Sequence, residues 1–130
     1  MSGVYNAALQ KFLDADVDWS ANNIKAVLVT SSYTFSASHT SLADVTAGWR
    51  IATSGNFASK TSTSGVADAA DITFSSVAAS TMSAIIVYYD SGTENTSTLL
   101  SYHNGGDFPK TIAAVSDVTI QWNASGIFSI

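Results

Sequence analysis

Val4, Ala8, Leu9, Phe12 and Leu13 recur at intervals of three and four residues, the spacing of one helical face, with Ser2 placed to cap the helix. The pattern therefore predicts a short amphipathic helix within residues 1–14. The next stretch, "LDADVDW" at 13–19, sets three Asp at alternate positions with Val17 and Trp19 between and after them. "IKAVLVT" at 24–30 is apolar on both faces and β-branched, which predicts a central strand covered on each side.

"SLADVTAG" at 41–48 has Ser41 followed three residues later by Asp44, close to a capping box, and ends on Gly48, so one short helix is expected there. "WRIATS", "NFASKTSTS" and "GVADAADITFSSV" then alternate around glycines as hairpin material. "MSAIIVYYD" at 82–90 is a second doubly buried strand, and the turn cluster Asp90-Ser91-Gly92 lets "TLLSYH" at 98–103 return antiparallel. "NGGDFPK" at 104–110 is a loop. In "DVTIQWNASGIFSI", Val118, Ile120 and Trp122 share one face and Thr119 and Gln121 the other, and a hairpin through 123–126 would pair 127–130 with that strand. Seven or eight short strands without a βαβ rhythm predict an all-β single domain over residues 1–130. Its architecture is an antiparallel β-sandwich or barrel, carrying the N-terminal helix and one further short helix.

Composition narrows the function. Charged residues are 12% of the 130 against 46% apolar, and the net charge is −5. The surface is therefore poor in charge and rich in Ser and Thr. Five cations, Lys11, Lys25, Arg50, Lys60 and Lys110, lie singly along the chain, so no basic patch is expected to neutralise nucleic-acid phosphates or anionic lipid. No apolar run approaches the roughly 20 residues that span a bilayer. "MSGVYNAALQKF" has neither a basic segment nor a continuous apolar core, so no secretory signal is expected. The absence of cysteine excludes disulfides, thiolate nucleophiles and Cys-based zinc sites.

The Asp triplet invites a calcium reading, because oxygen-rich loops space acidic side chains this way. A loop starting at Asp14 would place Trp19 where the sharp turn needs glycine and Lys25 where a bidentate glutamate closes the site. The better reading is a solvated connection whose Asp side chains bond nearby backbone N–H groups while Val17 and Trp19 point inward. Ser101, His103 and Asp107 can be written as a hydrolytic triad, but Ser is so common here that chance accounts for the set. His103 with Asp107 falls short of the three or four ligands of a zinc site. Neither catalytic residues nor a cofactor is expected. Trp19, Trp49, Trp122, Tyr88, Tyr89 and Tyr102 include rings that would stack on sugars if exposed, with Trp49 and Tyr102 the residues to test.

"FLDADVDWSANNIKAVLV", "HTSLADVTAGWRIATS", "KTSTSGVADAADITF", "IIVYYDSGT" and "QWNASGIFSI" together resemble a widespread set of small virion proteins of tailed bacteriophages, over nearly the whole chain. The anchors are Asp18-Trp19, Ala47-Gly48 with Arg50, Lys60-Thr61, Gly65-Val66 with Asp68 and Asp71, and Trp122. The resemblance implies a non-enzymatic structural protein, foremost a capsid decoration or cement protein on the outer head. A tail, collar or fibre-associated subunit is the next reading, and a glycan-binding β-sandwich module the third. It implies the major capsid protein as partner, a homotrimer or homodimer as the form, and synthesis in the bacterial cytoplasm. The expected contact residues are Tyr5, Leu9 and Phe12 of the helix, with His39, His103 and Phe108 in the loops.

Overall fold

The two long apolar runs become neighbouring central strands. In the computed structural model, which describes residues 2–130 with Ser2 through its backbone alone, β1 is Ser2–Val4, α1 Asn6–Leu13, β2 Ile24–Val29 and β3 Arg50–Thr53. They are followed by β4 Thr61–Thr63, β5 Val66–Asp68, β6 Ile72–Val77, β7 Ser80–Met82, β8 Ala84–Tyr89 and β9 Leu99–His103. The last three strands are β10 Lys110–Ile112, β11 Ser116–Ile120 and β12 Phe128–Ser129. A five-stranded antiparallel sheet runs β1-β9-β8-β2-β3. Three smaller antiparallel groups, β10-β7, β11-β6 and β12-β5-β4, complete an all-β fold.

Burial follows position in the sheet. In β8 every residue from Ala84 to Tyr88 is buried, as expected of a central strand covered on both faces. In β6 the pattern alternates, with Ile72 and Phe74 inside and Thr73 outside, so one face of the β6–β11 pair meets the core and the other meets water. Phe74, Val77, Val118 and Ile120 from that pair join Val27, Ile85, Val87 and Leu100 of the large sheet in one hydrophobic core. The 31–45 segment contributes Tyr33, Leu42 and Val45 to the same core, and the start of the chain contributes Tyr5 and Ala8.

Three local expectations change. Residues 2–4 pair with β9 as an edge strand, so the helix starts at Asn6 and Tyr5 occupies the N-cap position without a side-chain cap. The β9 backbone offers those residues ladder hydrogen bonds that an isolated helical turn would have to nucleate unaided. Residues 41–49 form two short 3-10 turns, Leu42–Asp44 and Ala47–Trp49, instead of one helix, although the Ser41–Asp44 capping box is present. The chain end does not return along β11. Twelve short strands form among the described residues, and β11 takes β6 as its partner while β12 crosses to β5. The longer, alternating β6 matches the pleat of β11, and docking residues 127–128 beside β5 buries Ile127 and part of Phe128.

Single side chains lock the connections. The Arg50 guanidinium donates to the carbonyls of Val45 and Leu42 (2.8 Å each) and to Glu94 (2.7 Å), joining the 3-10 turns to the 94–96 turn. Its planar fork reaches these acceptors from two separate nitrogens, Nε and Nη2, whereas a lysine presents all its donors from one point. Lys25 pairs with Asp90 at 2.9 Å where β2 begins and β8 ends, and that ion pair holds the Asp90 carboxyl below the usual carboxylate range.

Candidate functional site

The "LDADVDW" stretch is a connection with its Trp planted in the core. Asp18 Oδ1 accepts the backbone N–H groups of Ser20 (2.9 Å) and Ala21 (3.2 Å), closing a tight turn of the kind short acidic side chains favour. Asp14 accepts from Gln10 Nε2, and Asp16 lies 3.6 Å from Lys11 Nζ. The buried Trp19 indole N–H donates to the Thr61 carbonyl (2.9 Å) and more weakly to that of Asp68 (3.3 Å), with its ring edge-on to Phe57 and Phe128. Among the described residues no three His, Cys, Asp or Glu gather as a potential metal site.

The six expected contact residues separate into three places. Phe12 stacks on Phe128 at 6.2 Å between ring centroids, beside a shallow apolar depression of about 130 Å³ lined also by Trp19, Val66 and Ile130. Leu9 and Leu13, one helical turn apart on the same stripe, face outward, Leu13 with 84% of its surface exposed. Ile130 is likewise 64% exposed, so helix and chain end present apolar surface to solvent. Tyr5 is fully buried and has no surface to offer a partner, which corrects its expected contact role. Its inward direction follows from its position between an edge strand and α1, where the 31–45 segment covers it.

His39 belongs to a second group. Tyr5 and Tyr33 hydroxyls meet at 2.8 Å, and Tyr33 Oη lies 2.8 Å from His39 Nδ1. Burial pushes both phenols up, so they stay protonated, and the hydroxyl–hydroxyl–imidazole chain ties the 31–39 loop to the core. The Tyr33, Phe35 and Tyr102 rings pack together beside it, and Tyr102 is buried, so it provides no open platform.

His103 and Phe108 meet at the third place, a cleft of about 500 Å³ between the 104–109 and 121–126 segments. The β8–β9 register sets His103 opposite Ile85, with both on the cleft side, and Trp122, Gln121, Asn123 and Asp107 complete its walls and rim. His103 Nε2 and Ser101 Oγ are 2.9 Å apart, but Ser101 is fully buried and Asp107 makes no hydrogen bond to His103 among the described residues. The triad that the sequence permits is therefore not assembled. Alternation along 118–122 predicts Trp122 on the inward face, whereas the residue lies just beyond the end of β11, where the chain turns. A tryptophan followed directly by the turn residues Asn123 to Gly126 is the sequence signal for that position.

Burial lowers the His103 pKa to about 4, well below the 6.5 of an exposed imidazole. The unfolded chain therefore takes up this proton first as pH falls. His103 contributes full stability above about pH 6.5, and that contribution declines between 6.5 and 4. Each tenfold difference in proton affinity between the folded and unfolded chain is worth about 1.4 kcal/mol, discounted because the ring is not fully enclosed. Urea midpoints at pH 7 and pH 4.5 should show wild type losing at least about 1 kcal/mol more than a His103→Asn variant. Equal losses would remove the assignment.

No known protein family and no curated protein matches the chain. Among the described residues no helix is long and apolar enough to cross a membrane.

Proposed function

We propose that this protein is a structural component of a tailed-phage virion, foremost a decoration protein that binds the outer head lattice through the face formed by α1 and the chain end. The observation that carries the reading is the apolar stripe of Leu9 and Leu13, beside the Phe12–Phe128 stack and Ile130, on a chain with only 12% charged residues. The sequence resemblance to small virion proteins supports the same assignment. Apolar side chains left in water are stabilised when a partner covers them, and the neighbouring Lys11, Asp14 and Asp16 would stand at the polar rim of such an interface. A surface of Ser, Thr and Ala also has less side-chain entropy to lose than one of Lys and Glu. A standard interface of about 1,600 Å², repeated over a shell, stabilises the particle even when each copy binds modestly. Homotrimers or homodimers at local symmetry axes suit that role.

The test is a cryo-EM map of the particle together with shells reconstituted with Leu13→Asp and Leu9→Asp variants. Both leucines lie outside the core, whereas deletion of the whole helix would remove buried Ala8 and uncover Tyr5, confounding binding with unfolding. Density on the head lattice and at least tenfold weaker binding of Leu13→Asp are expected, the latter because a desolvated charge costs more than about 1.4 kcal/mol. Density at the neck or tail would replace the reading with that of a tail or collar subunit. Unchanged binding of both variants would show that the face is wrong.

A further inference from the structure

We propose that the cleft between the 104–109 and 121–126 segments binds an uncharged sugar unit, with the Trp122 indole as its stacking platform. Its volume of about 500 Å³ lies within the range of small-molecule sites. Trp122 is only half-buried, yet its position is held from several sides. Its indole N–H donates to the Ala70 carbonyl (3.2 Å), its backbone N–H donates to Asp71 Oδ1 (3.0 Å), and its ring rests against Phe57 (5.6 Å) and His103 (6.2 Å). A half-exposed aromatic ring held this firmly loses little freedom when a ligand arrives.

The walls around it carry the complementary chemistry. A pyranose presents apolar C–H faces for an aromatic ring and hydroxyls around its edge. Phe108 and Trp122 supply aromatic surface, while Gln121 and Asn123 supply amides that donate to and accept from hydroxyls, and Asp107 supplies a carboxylate that accepts. Asn123 Oδ1 accepts the Ser125 N–H at 2.8 Å, which holds that side chain in place. Neither Lys nor Arg is among the described lining residues, so a phosphate or nucleotide would find no counter-charge. The imidazole of His103 is neutral at physiological pH and adds none. The inference stands on the isolated chain and does not require the virion placement. Display in many copies would let weak sites act together.

The experiment is a two-dimensional 1H–15N NMR titration of the folded full chain. Its probes are methyl glycosides of glucose, galactose, mannose and N-acetylglucosamine at millimolar concentration, with inorganic phosphate as a separate arm. At least one glycoside is expected to give saturable shifts of the Trp122 indole N–H and of the Gly105, Gly106 and Asn123 amides. Trp122→Ala should weaken that binding at least tenfold. A Gln121→Ala/Asn123→Ala double variant, which keeps the Trp122 ring, should weaken it measurably. No saturable shift with any glycoside, shifts unaffected by both variants, or an equal response to phosphate would each overturn the proposal. A failed shell-binding test would leave it standing, because the two measurements probe different side chains, Leu9 and Leu13 in one and the cleft residues in the other.

Discussion

Replacing Trp19 with alanine should cost about 3–5 kcal/mol, the range for deleting a large aromatic side chain from a packed core. That is a large fraction of the roughly 5–15 kcal/mol by which a domain is ordinarily stable. The ring fills the space between Phe57 and Phe128, and its N–H satisfies the Thr61 carbonyl, so alanine leaves both a cavity and a lost hydrogen bond. Trp19→Phe keeps aromatic bulk and loses the N–H, so it should fall between wild type and Trp19→Ala. Asp16→Asn, on the exposed side of the same stretch, should change stability by less than about 0.5 kcal/mol, because exposed ion pairs contribute little. Urea unfolding of the four proteins checks the order. A Trp19→Ala cost below about 1 kcal/mol, or one matched by Asp16→Asn, would mean that the acidic residues and not the tryptophan organise the connection.

Gly126→Ala should be the other severe substitution. The residue has φ of +107°, a conformation L side chains rarely adopt, and an added Cβ would lie 2.3 Å from Val66 Cγ1 and 3.2 Å from the Ala67 carbonyl oxygen. Strain and overlap together should cost at least about 2 kcal/mol. Gly92 is the control: its φ is +90°, but nothing lies within 4 Å of the added carbon, so Gly92→Ala should meet the backbone penalty alone. The damage at Gly126 should be local before it is global. Ile127 N–H donates to the Ala67 carbonyl (2.7 Å) and Ile130 N–H to that of Gly65 (2.9 Å), and these amides hold the chain end beside β5. Hydrogen exchange should show both losing protection ahead of the β8 amides. Equal stability of the two alanine variants would show that Val66 yields easily and that the corner is not tightly packed.

The chain end that Gly126 anchors is only partly readable in the sequence. Alternation places Val118 and Ile120 inward, as they are found, because period two reports which face of a strand is buried. It says nothing about which strand lies alongside. The hairpin expected through 123–126 takes the nearest segment in sequence as the partner, whereas β6 and β5 compete for the same backbone groups and win through better-matched apolar faces. The candidate site shows the same division. Leu9 and Phe12 belong to a helical stripe visible in the spacing, but only packing reveals that Phe12 is partly covered by Phe128 while Leu13 is left in water.

The sequence by itself determined the two central strands, the turn at 90–92, the charge-poor composition and the reading of "LDADVDW" as a solvated connection ending in a buried tryptophan. Each of these depends on neighbours a few residues apart, where hydrophobic period and turn chemistry act directly. Only the tertiary structure decided that β12 crosses to β5, that Tyr5 is sealed inside, and that the 104–109 and 121–126 segments face one another across a cleft. Those outcomes rest on contacts between residues far apart in the chain, set by competition among many alternative pairings.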